Sequence, residues 1–71
     1  MIWFYAKEGR HLRCELRQQI TGDTFDLIIT EPDGSERVEH FSDSASITRR
    51  SLQLEAEWIN AGWDGPFGRE Y

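Results

Sequence analysis

The sequence predicts an α+β fold, a four-stranded antiparallel meander sheet followed by one C-terminal helix packed on one face (ββββα). Three observations predict it. Apolar and polar residues alternate over 10–17. Two short glycine-closed turns, Lys7-Glu8-Gly9 and Pro32-Asp33-Gly34, each separate two strand-like runs. Ser42-Asp43-Ser44 then opens a long stretch of helical spacing that stops at Gly62.

Residues 2–6 form the first strand. Ile2, Phe4 and Ala6 are expected inward, with Trp3 and Tyr5 on the other face. Lys7-Glu8-Gly9 reads as a three-residue loop whose glycine takes the left-handed position. Residues 10–17 return, with Leu12, Cys14 and Leu16 inward. A three-residue loop sets Phe4 opposite Leu12, Trp3 opposite Arg13 and Tyr5 opposite His11. Thr21-Gly22-Asp23 breaks the chain before a third strand, 24–31, with Phe25, Leu27 and Ile29 inward. Proline and glycine in Pro32-Asp33-Gly34 suit a second turn of the same kind. Residues 35–41 are an edge strand, because Glu36, Arg37 and Glu39 discourage foreign pairing.

The helix is expected over about 44–61, N-capped from within Ser42-Asp43-Ser44. It carries two apolar seams on nearly opposite sides. One holds Ala45, Leu52, Ala56 and Ile59, and the other Ile47, Leu54, Trp58 and Ala61. The first is assigned to the core with Ile2, Phe4, Leu12, Cys14, Leu16, Phe25, Leu27, Ile29 and Phe41. The second then needs a cover, either the aromatic tail Trp63, Phe67 and Tyr71 or a partner.

At 71 residues there is room for one domain, expected over 1–62 with 63–71 as a tail. One cysteine allows no internal disulfide, which favours a reducing, cytoplasmic setting. No apolar run approaches the ~20 residues of a membrane span. The net charge of −5 repels polyanions at long range.

No catalytic, cofactor or metal set emerges. His11, His40 and Cys14 lack ligand spacing. The register brings Asp26 beside His40, yet no nucleophile accompanies them. An enzyme is therefore not expected. The candidate interaction surface is Trp3, Tyr5, His11, Arg13, Arg17, Ile28 and Val38 on the open sheet face, with Ile47, Leu54 and Trp58 on the helix. The leading expectation is a non-catalytic protein-interaction module that binds a protein partner or self-associates. The alternative is single-stranded nucleic-acid binding on the same face, with bases stacked on rings and cations on phosphates. In its order of four strands then one helix the chain is similar to the repeat of Pur-type and Whirly-type single-stranded nucleic-acid binders. The resemblance covers topology alone, so no residue role follows from it.

Overall fold

A computed structural model describes residues 1–20, 22 and 24–70. Thr21, Asp23 and Tyr71, which the sequence placed in the loop and the tail, lie outside the described residues. The elements are β1 (Ile2–Lys7), β2 (Arg10–Gln18), β3 (Phe25–Thr30), β4 (Glu36–Phe41), α1 (Ser44–Asn60) and β5 (Asp64–Glu70). They form one antiparallel sheet in the order β4-β3-β2-β1-β5, with one helix.

The meander and the helix are thus as expected, but a fifth strand follows the helix. Residues 64–70, expected as part of a tail, pair with β1, with Phe4 opposite Phe67. The second hairpin has the expected three-residue loop. Glu31 and Ser35 face each other across it, the Glu31 N–H donating to the Ser35 carbonyl at 2.8 Å. Helix α1 starts where expected, Asp43 accepting from the Ser46 N–H at 2.7 Å.

The first turn differs, and the difference reverses a whole strand. Lys7 pairs with Arg10, which leaves only Glu8 and Gly9 in the loop, at φ of 51° and 78°. Two consecutive positive φ values make a two-residue turn of type I′. One residue fewer in the loop slips β1 by one position, and a slip of one moves every side chain to the other face. Trp3 and Tyr5 therefore lie in the core, opposite Cys14 and Leu12. Ile2, Phe4 and Ala6 lie on the open face.

The helix seams are exchanged in the same sense. Ile47 and Leu54 are buried, and Trp58 packs against the core, its ring tilted on Tyr5 with centroids 4.9 Å apart. Leu52 and Ile59, expected inside, are exposed, as is Ala56. The two reversals meet at one contact, because the helix stripe that packs on the Tyr5 ring is the one ending in Trp58. Leu12, Cys14, Leu27 and Ile29 are buried as expected, with Leu16, Phe25 and Phe41 packed against them.

Helix α1 crosses the sheet diagonally. Near its start Arg50 grips Glu39 of β4 with two hydrogen bonds, 2.8 and 3.1 Å. At its end the Lys7 ammonium donates to the Ala61 carbonyl at 2.6 Å, a cation at the negative pole of the helix.

Candidate functional site

Of the ten residues singled out in the sequence, the structure brings five together on the open face: His11, Arg13, Arg17, Ile28 and Val38. Trp3, Tyr5, Ile47 and Leu54 are corrected to the core, with Trp58 half-buried beside them. They are unavailable as a surface because the type I′ turn and the helix rotation turn them inward.

Two phenylalanines replace the lost aromatics. Phe4 and Phe67 stand side by side on neighbouring strands, 36% and 51% exposed. Sequence reasoning missed Phe4 through the register slip, and Phe67 because Asp64-Gly65-Pro66-Phe67-Gly68 carries no strand pattern. Beside them Phe4 faces Arg13, and Ile2 faces Glu15. Further across, Ile28 faces Val38. Val38 is exposed, whereas Ile28 is buried among its neighbours.

Arg13 and Arg17 on this face are already engaged. Glu15 accepts from Arg17 at 2.9 Å and pairs with Arg13 at 3.2 Å. Arg17 first, then Arg13, holds the Glu15 carboxyl below its ordinary range. The ladder Arg13–Glu15–Arg17 therefore presents less positive charge than two free guanidinium groups. Toward β4, Asp26 meets His40 Nδ1 at 2.6 Å and also accepts from Gln19. An open depression of about 420 Å³ lies there, lined by Gln19, Thr24, Asp26, His40, Phe41 and Ser42. Neither hydroxyl in it is hydrogen-bonded to His40, whose side chain is 77% exposed. Among the described residues no three His, Cys, Asp or Glu side chains converge as metal ligands. Among the same residues no helix is long and apolar enough to cross a membrane.

Cys14 packs in the core beneath the ladder. Burial first, and then Glu31, pushes its thiol up to about 12, against the opposing pull of Arg37 and Arg13. A protonated, buried thiol is a poor nucleophile.

No protein-family model, curated protein or solved structure matches the chain.

Proposed function

We propose that the chain is a non-catalytic protein-interaction module whose open sheet face receives a protein partner. The observation that supports this most is the adjacent, exposed pair Phe4 and Phe67 on neighbouring strands. Exposed aromatic anchors beside paired charges are the composition of a protein contact, with a ring cluster to bury and polar groups around it. Nucleic-acid binding is less favoured, because Glu15 occupies both Arg13 and Arg17 and the net charge is −5.

Partner capture with the wild-type chain and two variants tests the reading. Phe67→Glu is expected to abolish capture, while Leu52→Glu on the exposed helix stripe leaves it intact. Capture that survives Phe67→Glu defeats the assignment to this face. Oligonucleotide titration checks the competing reading. Salt-sensitive amide shifts around Phe4, Arg13 and Phe67 would replace the protein partner with a single strand.

A further inference from the structure

The two edges of the sheet are unlike. β5 holds Gly65, Pro66 and Gly68, and its pairing with β1 shifts register twice. Such a strand is a poor template. β4 is regular over Glu36–Phe41 and pairs without interruption with β3. Among the described residues no strand covers its outer side.

Which residues of β4 offer their backbone outward follows from the turn. Glu31 and Ser35 are a hydrogen-bonded pair. Such pairs recur at every second residue, so Ser35, Arg37, Glu39 and Phe41 point their amides and carbonyls at β3. Glu36, Val38 and His40 therefore direct theirs outward, and their side chains share the open face with Ile28 and Asp26.

We propose that β4 pairs antiparallel with β4 of a second copy, about a two-fold axis at Val38. The charge order of the strand selects that axis. Centred there, Val38 meets Val38, Glu36 meets His40, and Arg37 meets Glu39, each unlike pair occurring twice. Every neighbouring dyad sets a like pair face to face: Glu36, Arg37, Glu39 or His40 against itself. A dyad between two residues would set outward amides against inward ones. The side chains are placed to take part. Arg37 is half-exposed, with only a loose 3.8 Å contact to Glu31. Glu39, already gripped by Arg50, would become shared between two guanidinium groups. His40 turns Nδ1 to Asp26, and its Nε2 donates to the second copy's Glu36 when the ring carries both protons.

An axis normal to the sheet keeps both helices on one side. Two five-stranded sheets become one of ten strands, and Ile28–Val38 continues into the second copy as an unbroken apolar strip. The interface is isologous and uses up the one regular edge, so assembly stops at two. This inference does not rest on the partner reading above, since Phe4 and Phe67 lie at the far side of the sheet.

Sedimentation velocity tests it with the wild-type chain and Val38→Pro. A single strand pair is a small interface, so dissociation on the order of 100 µM is expected. The wild-type chain should move toward twice its 8.3 kDa mass as concentration rises. Proline removes an N–H that points away from β3, so the fold tolerates it while self-pairing weakens by about ten-fold or more. A second test avoids proline. Arg37→Glu and Glu39→Arg should each weaken their own homodimer, and mixing the two should yield a one-to-one heterodimer. In a mixed-labelled sample, a contact between the α-protons of Arg37 and the second copy's Glu39 fixes the register. A strictly monomeric chain at about 1 mM, well above that constant, overturns the proposal. So does a dimer that neither Val38→Pro nor the charge reversals weaken. Phe67→Glu should leave the dimer unchanged, which separates this test from that of the open face.

Discussion

Glu8 sits at φ 51° without the shape that makes that region easy. Asparagine and glycine tolerate it, whereas a longer side chain crowds the following carbonyl at a cost of roughly 1–2 kcal/mol. Glu8→Asn keeps the two-residue loop and relieves part of that cost. It should raise the melting temperature by about 4 °C, read by calorimetry. Cys14 makes the opposite kind of statement. Its thiol is held up to about 12 in the folded chain, against 9.0 when unperturbed. Between those values the unfolded chain has released its proton and the folded chain has not. Stability therefore falls as pH rises through that window. Denaturant midpoints measured from pH 8 upward should decline less steeply in Cys14→Ala than in the wild-type chain. Equal slopes would mean that the thiol is not buried as described.

At the scale of elements, β5 depends on one close approach. A Cβ on Gly65 would lie 2.8 Å from the Phe4 carbonyl and 2.8 Å from the Tyr5 ring, at a backbone φ of 142°. Gly65→Ala must push β5 off β1 or distort both. The expected loss is about 3 kcal/mol, combining overpacking with backbone strain. Hydrogen exchange should show the loss first in β1 and β5, while the β2–β3–β4 amides stay protected. What the sequence revealed of each element tracks how one-sided that element is. β2 alternates strongly and reads correctly, and β3 reads correctly although Leu27, Ile28 and Ile29 stand in a row. β1 is apolar at Ile2, Trp3, Phe4, Tyr5 and Ala6, so its pattern names no inner face, and only the turn decides. That turn lacks the Asn-Gly that would have announced two residues. The helix likewise carries two seams, and the inner one is the one that sets Trp58 on the Tyr5 ring. β5 has neither alternation nor β-branched residues, and it becomes a strand because β1 offers it an edge.

For the molecule as a whole, the candidate face was legible only in its β2–β4 half, where Arg13, Arg17, Ile28 and Val38 follow from alternation and a well-formed turn. The half made by Phe4 and Phe67 required knowing that the chain returns to β1 after the helix. The pairing of β4 with its own copy was written in the order Glu36-Arg37-Val38-Glu39-His40, but it becomes readable only once the free edge and its outward amides are known. The return of β5 to β1 also sets an order of events during synthesis. β1 ends at Lys7 and its outer neighbour begins at Asp64. At ~5–20 residues per second, β1 waits roughly 3–11 s on the ribosome for the strand that covers it. Through that interval its bare edge, with an aromatic ring at Trp3, Phe4 and Tyr5, is open to any other nascent strand. β1 is thus made long before its outer neighbour, and holding it safe falls to the hairpin with β2 and to whatever receives the emerging chain.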